Sequence, residues 1–160
     1  MKTQGKITDF TFTHNLKTRW RDSDAFRHIN NATYLSYIED ARLELMRRWG
    51  ITQDGKSVIV ASVKIDYYKQ VLHPTELIIG QRVSRIGNKS FDITSIVFNN
   101  DTKETICESV ITIVCFDFAE NKTVFVYDKI KEDYNKWLTK NHGVQLESDR
   151  IIKWRTGHWD

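Results

Sequence analysis

Proline occurs once in the 160 residues, at Pro74, and cysteine twice, at Cys107 and Cys115. The two cysteines lie eight apart in what reads as one strand, so roughly 26 Å separates them. A disulfide needs Cα atoms within about 7 Å, which excludes an intrachain bridge and makes both thiols apolar filler. No apolar run approaches the 18 or so residues that span a membrane. The first residues, MKTQGKITDF, lack the apolar core of a signal peptide, so a cytoplasmic location is the expectation. Net charge is only +3, too mild to argue for nucleic acid, although a local basic patch can still hold an anionic ligand. Several chemical signatures are missing as well: G-x-S-x-G, H-E-x-x-H, paired C-x-x-C and G-x-G-x-x-G. The five histidines, His14, His28, His73, His142 and His158, show no metal-ligand spacing. Gly87-Asn88-Lys89-Ser90 ends like a phosphate loop but lacks the Gly-Lys order and a following helix, so it reads as a hairpin turn.

The strongest local pattern is helical. Tyr34, Leu35, Ile38, Ala41, Leu45, Met46 and Trp49 recur at helical spacing with a wide apolar face. Asn30 or Asn31 can cap the start with a short side-chain oxygen. Glu44 precedes Arg48 by four, Arg47 and Arg48 suit the negative C-terminal end, and Gly50 suits a left-handed stop. The spacing predicts a helix over 31–49, about 28 Å long, enough to cross a small domain.

The rest reads as strands. Phe10 to Arg21 alternates, and residues 1–9 before it form a loose arm. Ile59, Ala61, Val63, Ile65 and Tyr67 alternate with polar neighbours in a long half-buried strand. Pro74 marks a turn, and strands follow over 77–85, 91–98 and 104–118, with 123–127 extending a sheet edge. A short amphipathic helix, 128–138, presents Ile130, Tyr134, Trp137 and Leu138 on one face. One domain over 1–138 is followed by a tail, 139–160, whose Ile151, Ile152, Trp154 and Trp159 suit docking on the domain or on a second subunit. No linker, low-complexity tract or internal repeat interrupts the chain. Strand, long helix, then four consecutive strands is an α+β pattern: an antiparallel meander packed on one helix. Strands of this length have to curve, and curling around the helix is the natural way.

Asp22 and Asp24 stand in the polar run just before the long helix. On spacing alone they are solvated loop residues. Their placement beside the positive end of a helix suggests more. Free N–H groups there can polarise a carbonyl oxygen, and a carboxylate beside such a site can hydrolyse an acyl group, as general base or as nucleophile.

The run D-S-D-A-F-R-H-I-N-N-A-T-Y-L-S-Y-I-E-D-A-R resembles the D-x-D-x-x-G-H-V-N-N-x-x-Y-x-x-Y-x-E-x-A-R signature of hotdog-fold acyl-CoA thioesterases, the 4-hydroxybenzoyl-CoA thioesterase-like group. Looser similarity continues to about Asp128. The resemblance implies a hotdog fold, an antiparallel five- to six-stranded sheet wrapped around one long central helix. It implies that Asp24 is the catalytic carboxylate and that the backbone N–H at Asn31 holds the thioester oxygen. It adds His28, chiefly a support of the loop, and Tyr34 to the substrate-binding group. Lys89 and Ser90 match a pair associated with the CoA phosphates, with Arg85 and Arg82 adding charge by proximity alone. Val60, Ser62 and Lys64 fall on the strand that passes the partner subunit's helix start. The implied assembly is a homodimer with its helices packed and its sheets joined edge to edge, or a tetramer of two such dimers. The implied substrate is acyl-CoA or an acyl carrier, with coenzyme A as part of the substrate and no separate cofactor or metal.

Two departures from the signature stand out. Arg27 occupies the usual glycine position, where a positive φ lets substrate approach closely; arginine there can narrow the site, pair with Asp22 or Asp24, or reach a ligand phosphate. Val124–Tyr127 reads V-F-V-Y where the family has V-P-x-P, a change expected to affect packing rather than chemistry. Glu39 is a second helix carboxylate, read as a face or hydrogen-bonding residue rather than a catalyst. The rival readings are a non-catalytic acyl-thioester binder, supported by Arg27, and a hotdog dehydratase or hydratase, which needs a histidine paired with a carboxylate.

Overall fold

The computed structural model describes residues 5–51 and 55–141. Along them run β1 (Phe12–Lys17), α1 (Asn31–Arg48), β2 (Ser57–Tyr67), β3 (Glu76–Ile86), β4 (Ser90–Asn99), β5 (Thr105–Asp117), a two-residue β6 (Lys122–Thr123) and α2 (Asp128–Asn141). The tail beyond Asn141 lies outside the described residues, and so does its expected docking.

The cap signals act as read. The Asn30 side chain accepts from the Ala32 N–H at 2.9 Å. At the other end Gly50 takes φ +68°, and the Ile51 N–H returns to the Met46 carbonyl at 3.0 Å, closing the helix with a left-handed residue.

The sheet is antiparallel, in the order β1-β3-β4-β5-β2, with β6 on the end of β5. Only β3, β4 and β5 form a meander, so the expected run of four consecutive neighbours is corrected. The segment between β2 and β3 is the cause. Its Tyr68 and Lys69 N–H groups bond the Ile106 carbonyl, and its Val71 carbonyl accepts from Ile29 just before α1. The chain thereby crosses from the β2 edge of the sheet to β3, next to β1 on the far side, instead of turning back on itself. Register shifts at Val60/Ser62, Val83/Arg85 and Val97/Phe98 mark irregularities of the kind that bend strands. The result is the hotdog fold, a curled sheet with one long helix packed against it.

Tyr34, Tyr37, Ile38, Ala41, Leu45 and Met46 line the buried face of α1. They meet Leu77, Ile79, Val83, Phe91, Ile93, Ile111 and Ile113 from the sheet. Full burial of each aliphatic side chain contributes on the order of 2 kcal/mol. Leu35, expected inside, is 37% exposed, and Tyr37 takes the buried place. The β2 row of Ile59, Val63 and Tyr67 is also more open than its alternation implied, at 39%, 46% and 37% exposed. The reason is position: β2 is the edge strand away from α1, which packs against β1 and β3. Cys107 and Cys115 are free and buried in β5. Burial pushes their thiols up to about 12 and about 11, which keeps them protonated and inert.

The N-terminal arm is packed rather than loose over its described part. Residues Ile7–Asp9 form a 3-10 turn. Phe10 is buried against Ile96 and Phe98, and the Asp9 carbonyl accepts from the Trp137 indole at 3.0 Å.

One buried carboxyl is expected to make stability pH-dependent. Glu108 on β5 is 5% exposed. Its Oε2 accepts from Tyr68 at 3.2 Å, and its Oε1 has no hydrogen-bond partner. Burial pushes this carboxyl up to about 7, against a smaller downward pull from the Tyr68 bond. A folded-state pKa above the unfolded value of 4.5 contributes stability that is complete below about pH 4.5 and lost as pH rises through about 7. Glu108→Gln is therefore expected to raise the melting temperature at pH 8 while changing little at pH 4. The gain is at most about 3 kcal/mol. Thermal melts across pH check it; a variant as pH-dependent as the parent would clear Glu108 of this role.

Candidate active site

The loop from Thr18 to Asn30 is built from short-range polar contacts. Residues Trp20–Asp22 form a 3-10 turn that folds the Asp22 carboxylate inward. Asp22 is 5% exposed. It accepts from the Arg19 N–H at 3.0 Å, from the Arg19 guanidinium at 3.1 and 3.3 Å, and from the Tyr37 hydroxyl at 2.6 Å. Burial works to raise its pKa, but the bonds from Tyr37 and Arg19 together outweigh it and hold the carboxyl below its ordinary value. The Asp22 carbonyl also accepts from the Asn30 N–H, tying this turn to the start of the helix. Asp22 is thus the structural carboxylate of the pair.

Asp24 is different. It is exposed, and its Oδ1 accepts from the Phe26 N–H at 2.8 Å and the His28 N–H at 3.1 Å. The backbone closes the same turn twice more, Asp24 N–H to the His28 carbonyl and Arg27 N–H to the Asp24 carbonyl. Four bonds within five residues fix where this carboxylate points. They need an unusual backbone at the fourth residue: Arg27 has φ +67°, the left-handed conformation that glycine would adopt freely and arginine adopts at a cost of about 1–2 kcal/mol. The Arg27 guanidinium turns away from both aspartates and donates to the His73 carbonyl at 3.2 Å, with the His73 N–H returning to the Arg27 carbonyl. The expected alternatives of an Asp22 or Asp24 partner are therefore replaced by a backbone clamp onto the 68–75 segment.

His28 contributes its backbone to the turn and bridges Leu72. Asn31 opens α1. The cap uses the next two N–H groups, Ala32 to the Asn30 side chain and Thr33 to the Asn30 carbonyl, so the Asn31 N–H is not consumed by it. The Asn31 carbonyl accepts from the Tyr67 hydroxyl at 2.7 Å, which pins the helix start to β2. The motif spacing does not flag Tyr67; its only signal is the alternating row of β2.

Three expected ligand contacts are corrected. Tyr34 is 1% exposed and stacks edge-on against Tyr37 and at a tilt against Tyr67. Burial pushes its hydroxyl up to about 12. It is a core residue, because helical spacing turns it to the sheet. Arg85 and Ser90 are buried too; the Arg85 guanidinium donates to Asp92 at 2.9 and 3.3 Å and to Ser90 at 2.7 Å. They form an internal ion cluster across the β3–β4 hairpin, and the bulge after Val83 brings Arg85 opposite Asp92. Arg82, suggested by proximity, is 1% exposed with its guanidinium 3.9 Å from the Trp137 ring centroid. Lys89 alone of this group reaches the surface, its ammonium 5.7 Å from the Phe125 ring. Glu39 is an exposed face residue 3.8 Å from Arg42. No cluster of three or more histidine, cysteine, aspartate or glutamate side chains suited to a metal occurs among the described residues.

A sequence model of the thioesterase-like superfamily matches residues 18–138. The chain belongs to that superfamily. Its matched segment holds the whole Asp24 turn, α1, the sheet from β2 onward and most of α2. One relative is the long-chain acyl-CoA thioesterase FadM of Escherichia coli K12, 23% identical over 122 residues, covering 73% of this chain and 92% of that one. The PA2801 protein of Pseudomonas aeruginosa, a putative thioesterase, has a similar structure at a TM-score of 0.71 and 27% identity, over 77% of this chain and 97% of that one. A thioesterase of Thermus thermophilus, solved with coenzyme A and zinc, is similar at 0.67 and 26% identity, over 78% and 97%. No described helix is long and apolar enough to cross a membrane.

Proposed function

We propose that this superfamily member hydrolyses an acyl-CoA thioester to the free acid and CoA, with Asp24 as the catalytic carboxylate. One observation carries the reading. An exposed carboxylate is held by two backbone N–H groups a single loop away from the first N–H of the longest helix. The thioester carbonyl oxygen lies on the Asn31 N–H, which stabilises the charge that develops on it. Asp24 then activates water as general base or attacks the carbonyl carbon directly. The likeness to FadM, a long-chain acyl-CoA thioesterase by name, supports the substrate class.

The CoA moiety runs toward Lys89, and this calls for a second copy. The Asp24 turn is clamped to the segment that leads into β3 at Glu76, whereas Lys89 follows the other end of β3. Eleven residues of strand separate the two ends, roughly 33 Å. Two copies paired antiparallel through their β2 strands bring Asp24 of one toward Lys89 of the other. The β2 edge suits this: it pairs only with β5 among the described residues and exposes Val60 and Val63, and an uncovered apolar edge invites pairing.

The rival reading, a non-catalytic binder, drew its support from Arg27. That support weakens because Arg27 keeps the positive φ and its side chain leaves the carboxylate uncovered. Thiol release from a panel of acyl-CoAs, short and long, straight-chain and aromatic, tests the proposal. Turnover on any member supports it, and its best substrate defines the acyl preference. Binding without turnover across the whole panel favours the binder instead.

A further inference from the structure

The aromatic residues that replace the expected prolines do more than pack. Phe125 and Tyr127 alternate along an extended segment between β6 and α2. The segment is pinned on both sides: Val124 N–H bonds the Cys115 carbonyl, and Val126 N–H bonds the Asn88 carbonyl in the β3–β4 turn, both at 2.9 Å. The Tyr127 hydroxyl is fixed between the Ser57 N–H and the Ser57 carbonyl, at 3.1 and 2.9 Å. Phe125 nevertheless points out and is 70% exposed. Each ring carries a lysine, Lys89 at 5.7 Å from Phe125 and Lys56 at 5.6 Å from Tyr127. An exposed aromatic ring on a pinned backbone, with one ammonium beside it and a second ring–ammonium pair two residues on, is an arrangement that can receive a flat base joined to phosphates.

We infer that Phe125 and Tyr127, with Lys56 and Lys89, form the dock for the nucleotide of the substrate: the purine stacks on Phe125 and the two lysines hold the phosphates. The inference rests on the acyl-CoA reading and narrows it. A carrier protein's phosphopantetheine has no purine, so this dock selects CoA-borne acyl groups over carrier-borne ones. The pinned backbone strengthens the case, because a segment already held in place loses little freedom when the base arrives.

Calorimetric titration of the full chain with adenosine 3′,5′-bisphosphate tests the dock apart from catalysis. Saturable binding is expected, weakened at least about fivefold in Phe125→Ala, the low end of base–aromatic stacking, and restored in Phe125→Trp. Lys56→Ala combined with Lys89→Ala is expected to flatten the salt dependence. The exposed position of Phe125 makes a folding defect easy to recognise in a thermal melt, and the tryptophan variant separates it from lost stacking. No saturable binding, or equal binding by Phe125→Ala, overturns the dock, as does an effect of Phe125→Ala on dimerisation alone. A second pair of substrates keeps the two proposals distinct. If acyl-CoA and the same acyl group on N-acetylcysteamine suffer equal rises in KM, the thioesterase stands and the dock falls. If the nucleotide binds through Phe125 but no acyl-CoA turns over, the dock stands and the thioesterase falls.

Discussion

Asp24→Asn is expected to lower kcat for thioester hydrolysis by at least about 10²-fold, the low end of what a general base supplies, and to leave the melting temperature nearly unchanged. The asparagine carbonyl can still accept from Phe26 and His28, the two N–H groups that now hold Oδ1. The turn, its left-handed Arg27 and the start of α1 are thereby preserved. What is lost is the negative charge and the capacity to take a proton or attack carbon. Loss of kcat with intact folding would assign the chemistry to Asp24. Turnover close to that of the parent would remove Asp24 from the mechanism and require another group near the helix start.

The largest expected effect on stability belongs to the other aspartate. Asp22→Ala is expected to destabilise the fold by about 2–3 kcal/mol, because it strands the Tyr37 hydroxyl and the Arg19 N–H, and a buried donor left without an acceptor costs about 1–3 kcal/mol. Tyr37 is 4% exposed, so water cannot easily replace the lost carboxylate. The contribution also has a pH signature. The folded carboxyl titrates below its unfolded value near 3.8, so its stabilisation is present above that pH and is lost as pH falls through the folded value. Denaturant melts at neutral and acid pH measure both effects, and the gap between parent and variant should shrink in acid. A variant as stable as the parent at pH 7 would contradict the structural role. The two substitutions together separate the aspartates: one is expected to spare the fold and stop turnover, the other to weaken the fold itself.

Arg27 shows how a departure in sequence can leave a site's geometry intact. Glycine is the unstrained residue for φ +67°, yet the loop keeps that conformation with arginine. The surrounding bonds, from Asp24 to His28 and from Arg27 to His73, over-determine the turn. Backbone strain persists where its surroundings hold it, and here it coincides with the proposed catalytic carboxylate.

Some of this protein was legible without a structure. The long helix and its ends followed from spacing, Asn30 and Gly50, because caps and periodicity are local physics. Strands β2 to β5 followed from alternation to within two residues, whereas the first strand, expected over 10–21, stops at Lys17 before a 3-10 turn and the edge expected over 123–127 is strand only at Lys122–Thr123; the motif around Asp24 pointed to the superfamily. The tertiary structure decided what depends on distant partners. It put β2 on the far edge of the sheet, because the 68–75 segment bonds Ile106 on one side and Ile29 on the other, contacts with no local signature. It separated two aspartates that look alike in sequence, because one lies within reach of Tyr37 and the other does not. It withdrew Arg85 and Ser90 from the surface, since Asp92 stands opposite Arg85 on the next strand. It also left Phe125 outside beside Lys89, a pairing of residues 36 positions apart in the chain that only the closing of β5 against the β3–β4 turn could create.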